Sequence, residues 1–269
     1  MIIANSWIVY SGEKRGQDNS NMHDERLRKV LEIAVVVIFF SAFMLALSHS
    51  IDDPDVFWHL KTGEWIWQHK TLPDKDPFSF TIAPSQYETA ARATFILKQY
   101  WLAQLIMYGF YHLGGFYGIV AFRCLIYLLI GLMLYHWMGR KGVSRINRLL
   151  FLVPVVYFSV FWLGERPNNL SFLFAVIVVY LLEDLKNSSN SLNGLNRLKL
   201  VSLPLVMLLW ANMHGGFILG DAIIAIYMTA GIIRLVIARI KKSDPTVTDR
   251  TSSLFFAVCV MAILISFAN

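Results

Sequence analysis

A chain of 269 residues that is 56% hydrophobic and only 16% charged, with mean hydropathy +0.52, is more apolar than soluble domains are. Its net charge of +6 does not indicate nucleic acid, because the lysines and arginines fall in short blocks between apolar runs, where they set membrane topology. The two cysteines, Cys124 and Cys259, lie inside apolar runs, so no disulfide framework is indicated.

Residues 1–29 are polar, with Gly16, Asp18, Asn19, Ser20 and Asn21 predicting a disordered stretch. Arg26, Arg28 and Lys29 abut the first apolar run and assign this tail to the cytoplasm. Residues 30–50 carry one charge, Glu32, and as a helix span about 30 Å, enough to cross the hydrocarbon core. The run is too long for a signal-peptide core and has no small-residue cleavage site after it.

Residues 51–98 form the one long hydrophilic segment and are expected as a large outer loop within the multi-span unit 30–269. The loop opens on Asp52-Asp53-Pro54-Asp55-Val56-Phe57-Trp58-His59-Leu60-Lys61-Thr62-Gly63-Glu64. Pro54 suits the first turn of a helix, with Asp52 or Asp53 as the capping acceptor. On that helix Asp55 and His59 share a face, and Val56, Leu60, Gly63 and Trp67 form a separate apolar stripe, so the helix is expected to lie on the bilayer. Asp53, Asp55, His59 and Glu64 offer more acceptors than capping uses and can serve as a general base or as ligands of a divalent metal. The competing reading is a surface cap in which Trp58, Trp65 and Trp67 form an interfacial aromatic belt. Farther on, Leu72-Pro73-Asp74-Lys75-Asp76-Pro77 predicts a turn.

Apolar segments then follow at 99–114, 115–138, 149–163, 170–182, 200–213, 217–236 and 254–267. Arg140, Lys141, Arg145 and Arg148 make one basic block, Lys186, Arg197 and Lys199 a second, and Arg239, Lys241 and Lys242 a third. With all three in the cytoplasm, Glu165-Arg166-Pro167 and His214-Gly215-Gly216 face the same side as the acidic loop. Segment 99–114 does not fit: a full crossing would put the loop and the first basic block on one side, so it is either a half-crossing or interfacial helix or an exception to the charge rule. The last run stops at Ala268-Asn269 without a closing polar tail, as in a fragment of a longer protein.

Two corners carry chemistry. Arg166 is either a snorkelling turn residue or a phosphate partner, since its guanidinium fork matches phosphate oxygens. In Trp210-Ala211-Asn212-Met213-His214-Gly215-Gly216-Phe217, the glycines allow close backbone approach, and a histidine at membrane depth is a functional candidate. The Ser- and Asn-rich stretch 186–196 reads as a flexible loop.

This layout resembles the GT-C type of integral-membrane glycosyltransferases, which include protein O-mannosyltransferases and aminoarabinose transferases. The resemblance rests on one span, an outer loop opening with Asp52-Asp53-Pro54-Asp55, a juxtamembrane helix and many short spans, and on the stretches 53–64, 72–81 and 211–217. It implies a polytopic all-α bundle in a bacterial inner membrane, with loop 51–98 extracytoplasmic. It also implies transfer of a sugar from a polyprenyl-phosphate carrier to an acceptor hydroxyl, an acidic residue acting near the acceptor, either Asp53 or Asp55, with His59, Glu64, Arg166, His214, Gly215 and Gly216 binding substrate. The mannosyltransferases' Asp-Glu pair is here Asp-Asp-Pro-Asp, and their C-terminal soluble domain is missing from the chain. Two other classes share these charges: a transporter or flippase for a lipid-linked or anionic substrate, and a non-catalytic membrane scaffold.

Overall fold

The computed structural model describes residues 3–73, 99–161, 164–187, 194–240 and 249–267. Among these, every regular element is an α-helix: α1 (Ile3–Leu47), α2 (Asp55–His69), α3 (Trp101–Arg140), α4 (Arg145–Phe161), α5 (Asn168–Asn187), α6 (Gly194–Met213), α7 (Phe217–Ile240) and α8 (Asp249–Ser266). Four candidate membrane spans, Met22–Leu47, Trp101–Arg140, Asn168–Leu185 and Phe217–Ile237, are long and apolar enough to cross a membrane. Outward-facing side chains such as Ile38, Leu45, Ile226 and Leu264 are about two-thirds exposed or more, a surface that suits lipid and would be a liability in water. The chain is an all-α integral-membrane bundle. The turn at 72–77 falls mostly outside the described residues, as does the rest of the loop to residue 98.

α1 continues through the stretch expected to be disordered. No proline interrupts residues 3–47, and Lys29–Glu25 (2.7 Å) and Arg28–Glu32 (3.3 Å) pair at i,i+4 along its surface.

α3 resolves the ambiguity of segment 99–114. At Gly115 the backbone takes φ 57° and ψ −141°, a conformation open to glycine, and the helix axis breaks there. The rings of Phe110 and Phe122 lie 5.1 Å apart, whereas residues twelve apart on a straight helix would be separated by about 18 Å. The chain therefore reverses, and residues 101–114 fold back on residues 116–140 so tightly that a Cβ at Gly118 would overlap the Phe110 carbonyl. The second arm, about 37 Å long, is long enough to cross a hydrocarbon core; the first, about 21 Å, is too short. That first arm is covered by α2, whose Gly63 lies directly on the backbone of Gln104.

Ion pairs mark the two ends of the bundle. At one end Arg145 pairs with Glu32 (2.7 Å), Arg140 with Asp184 (2.7 Å) and Lys141 with Glu183 (3.0 Å), which joins the start of the first span to the loop after α3 and the end of α5. The opposite end gathers the α1–α2 connection, residues 164–167 and the corner 214–216. Between them Leu47, Val56, Met107, Ile119, Leu203, Met207 and Trp210 form part of a continuous buried core.

Candidate functional site

The site begins with the start of α2. Pro54 precedes the helix, and Asp53 accepts the Asp55 backbone N–H at Oδ1 (3.0 Å), the capping role expected of Asp52 or Asp53. The same carboxylate is gripped from across the bundle end: Arg166 donates from Nε to Asp53 Oδ2 (2.5 Å) and from Nη2 to Asp53 Oδ1 (3.1 Å), while Nη2 also lies 2.9 Å from Asp55 Oδ2. Burial pushes the Asp53 carboxyl up, but the Arg166 and Asp55 N–H bonds outweigh it and hold the group below its ordinary range. The Asp53 side chain is only 8% exposed, whereas Asp55 and Arg166 are about half exposed, so Asp53 is the inner and Asp55 the outer carboxylate.

Consecutive residues work in opposite directions here. Arg166 reaches outward to the aspartates, and Glu165 turns inward to a fully buried ion pair with Arg123 of α3. Arg123 also donates to the His49 carbonyl (2.5 Å) from Nη2. Below the same corner, Tyr127 donates to Asn169 Oδ1 (3.0 Å), and Asn169 Nδ2 donates to the Gly164 carbonyl (2.7 Å). Gly164 in turn admits Asp53, because a Cβ there would overlap its carboxylate. The 49–53 and 164–167 segments are thus interlocked on a buried charged base.

A row of rings flanks the acidic cluster. Trp58, His59, Tyr100 and His214 follow one another with centroid separations of 5.2, 5.5 and 5.3 Å. His59 differs from expectation: it does not share Asp55's open face but belongs to the buried face of α2 with Val56, Leu60, Gly63 and Ile66. The spacing 56, 59, 60, 63, 66 is a continuous helical stripe, and Gln104, 3.2 Å from His59 Nδ1, makes a polar ring tolerable inside it. Burial lowers its pKa to about 4 against the opposing pull of Asp55 and Asp53, so the ring is neutral at pH 7. Trp67, expected in the stripe, is half exposed.

At the 214–216 corner, Ser171 Oγ and the Gly216 N–H both lie within 2.8 Å of His214 Nδ1, and Trp210 Nε1 donates to Ser171 (2.9 Å). A Cβ at Gly216 would overlap Ser171 Oγ and His214 Nδ1, a close approach of the kind expected here, whereas one at Gly215 would meet only the movable end of Gln99. Glu64 stands apart, bonded to Lys61 (2.6 Å) and Gln68 (3.3 Å) of its own helix.

Asp53, Asp55, Arg166, His59, His214, Gly215 and Gly216 are therefore assembled at one end of the bundle. Sequence reasoning passed over Tyr100, Gln104, Arg123 and Ser171. Arg123 had a signal, as the one charge inside the apolar run 115–138. Among the described residues no three His, Cys, Asp or Glu side chains are grouped to hold a metal ion. Comparison of the chain with family models, curated proteins and solved structures gives no match.

Proposed function

We propose that the chain is an integral-membrane glycosyltransferase that moves a sugar from a polyprenyl-phosphate carrier to an acceptor hydroxyl. The observation carrying this reading is the convergence of Asp53, Asp55, Arg166 and His214, from three separate segments, at one end of the membrane helices. Asp55 is the base: its side chain is half exposed, and its Oδ1 has no partner among the described residues. The acceptor hydroxyl gives its proton to Asp55 as its oxygen bonds to the anomeric carbon, and the bond from that carbon to the carrier phosphate breaks, the phosphate keeping the electron pair. Asp53, with both oxygens engaged, orients Arg166, whose Nη1 has no partner among the described residues and is free for a phosphate oxygen. His214 donates to the same leaving group.

The positive-inside rule supports taking the end that carries Arg28, Arg140, Lys141, Arg145 and Arg148 as cytoplasmic and, in this reading, the site as lying on the outer side of a bacterial plasma membrane. Arg123 lies seventeen residues before Arg140, about 26 Å along α3, so the site sits just inside the outer boundary of a core about 30 Å thick, within reach of a lipid-borne phosphate.

The test is complementation. In cells lacking the gene, the full chain should restore one envelope sugar, and Asp55→Asn, which keeps the shape but not the basicity, should lower that activity about a hundred-fold or more. Full restoration by Asp55→Asn would remove the base from the reading.

A further inference from the structure

The hydrogen-bond roles around His214 follow from what its neighbours can do. The Trp210 indole N–H can only donate, so Ser171 Oγ accepts from it (2.9 Å) and has its own hydroxyl proton free for His214 Nδ1 (2.7 Å). The Gly216 backbone N–H can only donate, and it too points at Nδ1 (2.8 Å). Nδ1 is therefore an acceptor, and in the neutral ring the proton belongs to Nε2. Charging the ring would require a proton at Nδ1, opposed to the Gly216 N–H, in a ring next to the N-terminus of α7 where a positive charge is further disfavoured. Burial acts in the same direction. The titratable groups facing the ring are Tyr100 and, beyond it, His59, itself held neutral. Nε2 has no partner among the described residues.

We propose that Ser171 and Trp210 are positioning residues that hold His214 as the neutral Nε2–H tautomer, a fixed donor for an oxygen of the bound ligand and not a proton acceptor. The proposal rests on the glycosyltransferase reading only for the identity of that oxygen, which it assigns to the carrier phosphate. A donor already aimed and uncharged needs no reorganisation when charge develops on that oxygen. It also divides the labour of the site: proton acceptance falls to Asp55, and donation to His214.

The experiment uses the full chain in lipid nanodiscs, labelled with ¹⁵N-histidine, with the His214 signals assigned by their loss in His214→Gln. The expected spectrum at pH 7 shows an unprotonated Nδ1 and a protonated Nε2, with any titration of the ring displaced below its ordinary range. A proton on Nδ1, or a ring that titrates near the ordinary value of about 6.5, would overturn the proposal. Ser171→Ala, which leaves the Gly216 N–H as the remaining donor to Nδ1, should shift the Nδ1 resonance and admit a minor Nδ1–H population, and Ser171→Thr, which keeps the hydroxyl, should do neither; an unchanged spectrum in Ser171→Ala removes Ser171 from the proposal. Binding of polyprenyl phosphate should weaken about tenfold or more in His214→Ala and less in His214→Gln, whose amide nitrogen retains a donor. Equal binding by both variants and the parent would refute the donor role. If the parent itself does not bind polyprenyl phosphate, the glycosyltransferase reading fails, while the ¹⁵N spectrum still decides the tautomer.

Discussion

Replacing Glu165 by Gln strands the Arg123 guanidinium. Both side chains are at most 2% exposed, and Arg123 Nε is already buried without a partner. Among the described residues the one other bond to this guanidinium runs from Nη2 to the His49 carbonyl, and at 1% exposure the side chain has little contact with solvent to replace the lost carboxylate. Removing one partner of a buried pair costs about 3–5 kcal/mol, a large fraction of the roughly 5–15 kcal/mol that stabilises a typical fold. At about 2–4 °C per kcal/mol for a chain of this size, the melting temperature should fall by about 10 °C. Arg166→Gln, one position along, removes a bidentate pair whose guanidinium is half exposed but whose Asp53 partner is 8% exposed, so it should cost about 1–3 kcal/mol, less than Glu165→Gln. The Arg123→Met, Glu165→Leu double variant should recover most of the loss, because neither charge is then buried alone. Thermal unfolding of the purified chain in detergent is the assay. Glu165→Gln melting with the parent, while Arg166→Gln melts far below it, would reverse the assignment of structural and functional arginines.

Three further outcomes follow from the geometry. Gly118→Ala should destabilise the fold by about 1–3 kcal/mol in the same melt, since its Cβ would overlap the Phe110 carbonyl, whereas Gly114→Ala, which meets nothing within 4 Å, should be close to neutral. His59 has a folded pKa of about 4, below its ordinary 6.5, so the stability it contributes is complete above pH 6.5 and is lost as pH falls towards 4, by up to about 3 kcal/mol. Melting scans across that range should show this loss and His59→Gln should lack it; identical pH profiles would contradict the burial argument. On intact cells, a membrane-impermeant thiol reagent should label Ser50→Cys, and should label Ser144→Cys only after lysis; the reverse pattern would invert the proposed orientation.

The class of fold was legible because hydropathy and length decide what can cross a bilayer, and the boundary between apolar segments 99–114 and 115–138 coincides with the break in α3 at Gly115. Whether the segment before that break crosses was not legible, because a glycine permits a reversal without requiring one; Phe110 against Phe122 is a tertiary contact with no local signature. His59 shows a different limit. The i,i+4 spacing set it on Asp55's face, apart from the stripe, because a histidine is admitted to a buried face only when a partner such as Gln104 is present, and that partner lies 45 residues away in the sequence. The joining of Asp53 to Arg166 across 113 residues was foreseen only as a shared side of the membrane. Basic blocks locate loops to one face or the other, and only packing decides which loops touch.

The central claim, that this end of the bundle transfers a sugar from a lipid carrier, is tested most directly by mass spectrometry of envelope glycans and of lipid-linked sugars, read leaflet by leaflet, with and without the gene. The account predicts loss of one sugar from the glycans, with its intact polyprenyl-phosphate carrier accumulating in the outer leaflet, and the same pattern in cells carrying Asp55→Asn. Accumulation in the inner leaflet would identify a flippase, and unchanged glycans and carriers would contradict transfer altogether.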